Sequence, residues 1–478
     1  MTLGDPQLGA ETALSGDRPG AVLVQALGYA NWSPRDLVRE INGRLAGLGE
    51  RRLDLTVAHA WSRGSVPRSE TVRRLAAAVL TERTGRTYTQ TMLWGTPEPD
   101  ARRDERTVTD DLVGRRPLAA VLATATAWNA TAPASQATLR PSGDLFTAVW
   151  DADRQQPHSI SRESGTDHVL PPMMTLLESH LADLRRLDDA AGGGAISQRY
   201  VRIALDGVLS LLQNSRYTPD IGTRLLRTAG GLAQLAGWMA FDADLSASGQ
   251  RYQLVAIRLA RASADHDTVA NVLGMLAYQH AAAGNPTAAI RFAEAAVEKA
   301  AKSLPTVRAR ALGRLATAHA AAGDIDAFRS ATDRCLAFLQ HRRDDDPPAL
   351  YYFTADQVAA ESGQGLVDLA AANPGAKGRR LLEEAHSLLS PITAHGPTTG
   401  YTRSAFLHGV HLARAHLLAH DTEATLATFG KLTVHLPEVQ SVRCRNLLLG
   451  IRRHAGTRIK SASGKDALNR VDRALSGI

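Results

Sequence analysis

The histidines His408, His411, His416 and His420 are the densest cluster of metal-ligating side chains in the sequence. Spacings of three and four residues on a helix can bring ligands to one face. At about 100° per residue, however, these four spread over about half the circumference. A packing or surface role is therefore the favoured reading, and no metal site is expected. The carboxylate pair Asp188-Asp189 falls at a predicted helix end, where capping or solvation accounts for it. The chain has two cysteines, Cys335 and Cys444, too few for a disulfide framework or a cysteine-based zinc site. Both are expected as small buried side chains in a reducing compartment. A phosphate-binding Gly-Lys-Ser/Thr loop, a His-Glu-x-x-His zinc motif and a Gly-x-Ser-x-Gly nucleophile turn are all missing. The residues thus point away from an enzyme and imply no cofactor.

Charge is more informative. The chain carries a formal +7, and the segment from Asn31 to Trp94 holds eleven Arg against six acidic residues, or +5. A concentrated basic segment is the footprint a DNA-binding domain requires, and it is also compatible with an ordinary solvated surface. Over 478 residues, 44% are hydrophobic, 22% charged and 5% aromatic. This is the balance of a soluble protein too long for one compact core. Ala and Leu, strong helix formers, dominate with Arg and favour an all-α chain. No run approaches the ~20 apolar residues of a membrane span. The first twenty residues lack the basic start and apolar run of a signal peptide and read as a disordered tail. Together these features predict a cytoplasmic protein without a membrane partner.

Residues 21–94 read as a compact helical domain. Its first helix is predicted near Ala21–Tyr29. A second begins at Ser33-Pro34, where Ser suits the cap and Pro the first position; it continues through Leu37, Val38 and Ile41 and is broken by Gly47 and Gly49. A third is predicted from about Asp54 to Arg63, stopping at Gly64. A fourth, Glu70–Glu82, follows Pro67 and Ser69, with Val72, Leu75, Ala76 and Val79 inward. Residues 95–170 read as a linker holding one short apolar helix, about Pro117–Trp128. Within it, 129–165 is rich in Ala, Ser, Thr, Pro and Gly and reads as a loop or hinge. From Pro171 onward the pattern is helix after helix. Met174, Leu177, Leu181 and Leu184 mark the first, which ends at Gly192-Gly193-Gly194.

The helices of 171–478 recur in pairs. Leu276-Ala277, then Gly284-Asn285-Pro286, then Ala289, Ala293 and Ala296 match the spacing of a tetratricopeptide repeat. Small residues let two helices approach, and the turn Gly takes a conformation that other residues rarely adopt. Further copies run through Leu315-Ala316, Gly323-Asp324 and Ala331; through Leu235-Ala236, Asp242 and Tyr252; and through Leu412-Ala413, Asp421 and Ala424. The first three are separated by 41 and 39 residues. His280, His319 and His416 occupy bulky packing positions of this pattern. The expectation is a helical solenoid whose groove takes a peptide, small-molecule or protein ligand, or is buried in a dimer.

The segment Thr56–Pro67, with Trp61, Arg63-Gly64 and Pro67 followed by Leu75 and Ala76, resembles the recognition helix and turn of XRE-like helix-turn-helix regulators. It departs from them at Pro34, where a phosphate-contacting Gln is usual, at Ser62, where a Glu is usual, and in a longer connection between helices two and three. The resemblance implies that the third helix enters the major groove of double-stranded DNA. Thr56, His59 and Arg63 share its exposed face, and Arg63 is placed to pair with guanine or a phosphate. Arg35, Arg68 and Ser69 would contact phosphates, and Trp61 and Val57 would be core.

More widely, Leu187-Asp188-Asp189 with Gly192-Gly193, the stretch Leu235–Asp242 with Tyr252 and Ala256, Arg403-Ser404, Leu412–Ala415 and Ser441-Val442-Arg443 resemble elements of actinobacterial, Streptomyces-type regulators. These have a helix-turn-helix head and a tetratricopeptide-like body, and include negative regulators of differentiation and antibiotic production. This likeness spans most of residues 21–450. It implies a DNA-binding transcriptional regulator acting as a homodimer. The readings that compete with it are a protein-binding adaptor with a degenerate head and a signalling-peptide or small-molecule receptor regulator.

Overall fold

The computed structural model describes residues 21–47, 52–67, 69–84, 88, 90–94, 117–130, 142–153, 160–394 and 402–476. Arg68, the tail 1–20 and the stretch 95–116 lie outside the described residues. The protein is all-α as expected, with twenty-one α-helices and no strand among the described residues. It divides into two compact units, Met1–Ala101 and Arg102–Ile478.

The first unit holds α1 (Ala21–Ala30), α2 (Pro34–Gly47), α3 (Val57–Trp61), α4 (Glu70–Thr84) and α5 (Gln90–Trp94). Its core follows helical spacing: Leu23, Ala26, Leu27 and Ala30 on α1, Leu37, Val38, Ile41 and Leu45 on α2, and Val72, Ala76, Val79 and Leu80 on α4. α2 packs on α3 and α4, and α1 on α4. Ser33 and Asp36 open α2 reciprocally, with the Ser33 N–H donating to Asp36 at 2.8 Å and the Asp36 N–H to the Ser33 hydroxyl at 3.4 Å. The long α2–α3 connection is anchored through Asn42, whose side chain makes two hydrogen bonds to the Leu53 backbone, at 2.9 and 2.7 Å.

α3 is shorter than the expected Asp54–Arg63, because both of its ends are turns. Asp54 accepts from the Thr56 N–H and hydroxyl at 2.8 and 2.6 Å, which holds the entry as an Asx-type turn. At the exit, Ser65 N–H reaches the Ala60 carbonyl at 3.1 Å while Gly64 takes φ 103°. That is the wrapped helix end which glycine permits, and it falls where the sequence placed the stop.

The second unit begins with α6 (Leu118–Ala130), α7 (Ser142–Asp153), α8 (Pro171–Ala191) and α9 (Ala195–Asn214). α7 corrects the reading of 129–165 as a loop. Composition there suggested a hinge, but Leu145, Ala148 and Val149 fall at i, i+3 and i+4 and are buried in the main core. Val121, Leu122, Ala125 and Trp128 of α6 join the same core, so α6 and α7 are structural parts of this unit. The end of the supposed hinge is also tied down: Arg162 and Tyr217 exchange backbone hydrogen bonds of 3.0 and 2.9 Å, and Gly165 approaches the Asn214 carbonyl too closely for any Cβ.

Then come paired helices: α10 (Pro219–Asp242) with α11 (Ser246–Ala262), α12 (His266–Ala282) with α13 (Pro286–Lys299), α14 (Pro305–Ala322) with α15 (Ile325–Leu339), α16 (Ala355–Ala372) with α17 (Ala376–Ala394), and α18 (Thr402–Leu418) with α19 (Thr422–His435). α20 (Val442–Arg458) and α21 (Ala462–Ser476) end the described chain. Within each pair the helices pack on each other, and the first helix of each packs on the first of the next. Ala289, Ala293 and Ala296 are fully buried, as close approach demands. The array also meets itself, since α8 packs on α18 and α10 on α20.

Candidate functional site

The first helices of successive pairs present polar and aromatic side chains to one cleft of about 880 Å³, open mouth included. α8 contributes Arg185, Asp188 and Asp189. α10 adds Gln234 and Trp238; α12 adds Asn271, Met275 and Tyr278. The lining also includes Arg310 and Arg314 of α14, Glu361 and Gln364 of α16, Arg403 of α18 and Arg443 of α20. Along each helix these residues are spaced by about one turn or two, so each helix turns one stripe inward.

Where the array meets itself, a buried ion network crosses the contact. Arg403 Nη2 lies 3.3 Å from Asp188 and 3.1 Å from Asp189, and its Nη1 is 3.8 Å from Asp242. Arg443 Nε pairs with Asp242 at 3.2 Å and Nη1 donates to the Tyr278 hydroxyl at 3.0 Å. Tyr351 donates to Asp189. Both guanidiniums lie within 6 Å of the Trp238 ring, at 5.6 Å for Arg403 and 5.8 Å for Arg443. This overturns the expectation that Asp188-Asp189 is a solvated or capping pair: Asp188 is buried.

The carboxylates titrate differently. Burial pushes Asp188 up to about 7 against the pull of Arg403, with Asp242 and Asp189 adding repulsion. Burial also works against charge on Asp242, yet Arg403, Arg443, the Ser441 hydroxyl and the Gly193 N–H hold it below the usual carboxylate range. Glu361 is held down to about 2: burial opposes its charge and is outweighed by Arg310 and Arg314. Glu361 pairs with Arg310 at 2.8 Å and accepts from Gln357 at 2.9 Å.

The four histidines stand in different surroundings. His420 lies beyond the end of α18 in a turn with φ 63°, which corrects its placement on the helix. His408 is buried with its Nδ1 2.7 Å from Gln364 Nε2, and burial lowers it to about 4. Burial lowers His411 to about 3. His416 packs edge-on to His386 with ring centroids 5.3 Å apart. His280 is buried and stacks on Phe292 at 5.2 Å. Among the described residues no group of His, Cys, Asp or Glu is arranged to hold a metal ion, and no helix is long and apolar enough to cross a membrane. Cys335 and Cys444 are both buried and free.

On the first unit, Thr56, His59, Arg63, Arg35 and Ser69 are all exposed, while Trp61 and Pro67 are buried. Trp61 stacks edge-on to Trp94 at 6.4 Å, and Val57 packs against the core at its rim. Thr56 precedes α3, His59 lies on it and Arg63 follows it in the closing turn. The Thr56 hydroxyl and N–H hold the Asp54 carboxyl below its usual range, and Arg35 is close enough to add attraction. Thr56 is thus held to Asp54, and Arg35 adds only a weaker attraction. Ser69 caps α4, its hydroxyl accepting from the Val72 N–H at 3.4 Å.

Several cleft residues were not singled out from the sequence: Arg185, Gln234, Asn271, Tyr278, Arg310, Arg314 and Glu361. A signal for some of them exists. Gln234, Met275 and Arg314 immediately precede Leu-Ala pairs, and Asn271, Arg310 and Gln364 stand five residues before one. No protein-family model and no curated protein matches this chain.

Proposed function

We propose that the chain is a sequence-specific DNA-binding transcriptional regulator that controls development or secondary metabolism. Its first unit would act as an XRE-like helix-turn-helix head, and its second as a tetratricopeptide-like solenoid for dimerisation and for binding a signal or partner. The observation that carries this reading is the sorting of side chains on and around α3. Trp61 is core, whereas Thr56, His59 and Arg63 are exposed within one short stretch, and Arg35 is exposed on the same unit. Exposed polar and basic side chains on a rigidly packed helix suit contact with base edges and phosphates. An exposed apolar stripe on α9, Ile196, Tyr200 and Ile203, supports pairing with the same stripe of a second copy.

The test is selection of genomic fragments by the full chain at fixed salt, with light scattering for the mass. Arg63→Ala is expected to weaken the selected site by ~5- to 150-fold, the ~1–3 kcal/mol of one good base contact. His59→Ala is expected to relax sequence preference. If no fragment is enriched, the adaptor reading replaces this one. If both variants bind as the parent does, the reading helix is wrongly assigned. The cleft favours a second reading, a receptor regulator whose DNA binding answers to a ligand held in the body.

A further inference from the structure

Arg314 stands out among the cleft residues. It is only 7% exposed, and no hydrogen bond or ion pair joins it to any described residue. Its guanidinium lies over the Tyr278 ring at 4.5 Å and near Trp238 at 5.9 Å. Glu361, the acid that attracts it, is committed to Arg310 and Gln357. Arginine does not escape burial by losing its proton at physiological pH. An unpaired buried guanidinium is costly, and such groups are normally compensated.

The neighbouring cations point the same way. Arg310, one turn earlier, uses Nη1 on Glu361 and leaves Nε and Nη2 buried without a partner. Arg185 lines the cleft from α8, without an ion pair of its own. Burial, and for Arg314 the repulsion of Arg310, depress both Arg185 and Arg314 from the ordinary arginine value, against the attraction of Asp265 and Asp189 on the first and of Glu361 on the second.

We infer that the cleft binds a compact ligand through an oxyanion, a carboxylate or a phosphate, taken by Arg314, with Arg310 and Arg185 adding positive charge to the same lining and Trp238 and Tyr278 flanking the ligand's body. A guanidinium matches either oxyanion in a bidentate fork, and the aromatic rings that hold Arg314 leave its N–H groups for the ligand. The inference deepens the ligand-binding half of the function proposed above and is independent of the DNA-binding half.

The test is thermal unfolding of the full chain without DNA at constant ionic strength. Sodium phosphate is titrated in one arm and sodium benzoate, a planar carboxylate, in the other, each against sodium chloride. At least one oxyanion is expected to raise Tm saturably, and the arm that responds identifies the source. Arg314→Met is expected to abolish that rise. Its own Tm in chloride should be at or above the parent's, because it removes an unpaired buried charge. Arg314→Lys keeps a charge over Tyr278 but loses the fork; its apparent affinity should fall tenfold or more. Arg329→Gln, on an exposed pair with Glu384, should respond as the parent does. Absence of a response in the parent to both oxyanions, or an unchanged response in both Arg314 variants, overturns the inference. Loss of DNA selection with the anion response intact would fail the DNA-binding reading alone.

Discussion

At the scale of single residues, burial decides how the carboxylates around Arg403 behave. The strings containing Asp188-Asp189, Trp238, Asp242, Arg403 and Arg443 were readable as distinctive, yet nothing in their local order says that they converge. Asp188 and Arg403 are 215 positions apart, and only tertiary packing turns a helix-end carboxylate into a buried one. That burial has a testable consequence. A carboxyl raised to about 7 in the folded chain, from 3.8 for the free side chain, favours folding while protonated. Its contribution is complete below the unfolded value and is lost as pH rises through about 7. Asp188→Asn is a neutral isostere, so it should match the parent in stability only below the unfolded value, at about pH 3, and exceed it near pH 8, by on the order of a few kcal/mol. Asp242 and Glu361 act in the opposite sense: their pKa values are lowered, and their contribution disappears only as the solution becomes strongly acidic. Chemical denaturation of both proteins at the two pH values measures the difference. A gap that does not grow with pH would mean that Asp188 is ionised throughout.

At the scale of elements, the helix pairs were most legible where a glycine stands in the turn after a Leu-Ala pair, as at Gly284 and Gly323. A residue with positive φ precedes the cap at several turns: Gly284 (φ 70°) before Asn285, Gly323 (φ 78°) before Asp324, Ala264 (φ 54°) before Asp265 and His420 (φ 63°) before Asp421. The following Asn or Asp accepts the next helix's third N–H at 3.0–3.2 Å in the first three, and Asp421 does so at 2.9 Å. The sequence pattern captured Gly284 and Gly323, and the last of these turns through Asp421 alone; Ala264 and His420 adopt the same backbone without glycine's freedom. The left-handed conformation costs a non-glycine residue ~1–2 kcal/mol. Ala264 is exposed and loses no packing when replaced. Ala264→Gly should therefore raise stability by up to ~1 kcal/mol once glycine's greater unfolded-state entropy is subtracted. Gly323→Ala should lower it by ~1 kcal/mol or more, with the helix content of both variants unchanged. Equal effects of the two substitutions in urea unfolding would refute the turn argument. The missed helix α7 has a different cause: its three buried positions, Leu145, Ala148 and Val149, are diluted by small residues that composition assigns to loops.

At the scale of the whole second unit, repetition was legible but closure was not. Periodic Leu-Ala pairs predict neighbour-on-neighbour packing, and in an open array of that kind each repeat depends only on those beside it. Here α8 packs on α18 and α10 on α20, and Arg403 and Arg443 join the late helices to Asp188, Asp189 and Asp242. Stability is then shared around the array instead of summed along it. Arg443 is the sharper probe, because it reaches Asp242 of α10 and the Tyr278 hydroxyl of α12 from α20. Removing one partner of a buried pair costs ~3–5 kcal/mol when the other charge is left alone; Asp242 keeps Arg403 at 3.8 Å and the Gly193 N–H at 3.4 Å, so a smaller loss is expected. In an open array Arg443→Ala would deprotect the amides of α20 and its neighbours in hydrogen exchange and leave α8 to α12 as they were. With closure, deprotection should appear at both ends of the sequence together, in α8 and α10 as much as in α18 and α20, while α14 and α15 between them change least. Exchange confined to residues beyond Thr402 would show that the contact between early and late helices is not energetically coupled. Coupled loss would instead show that the early and late helices are held together through Arg403 and Arg443, the same two residues that line the cleft.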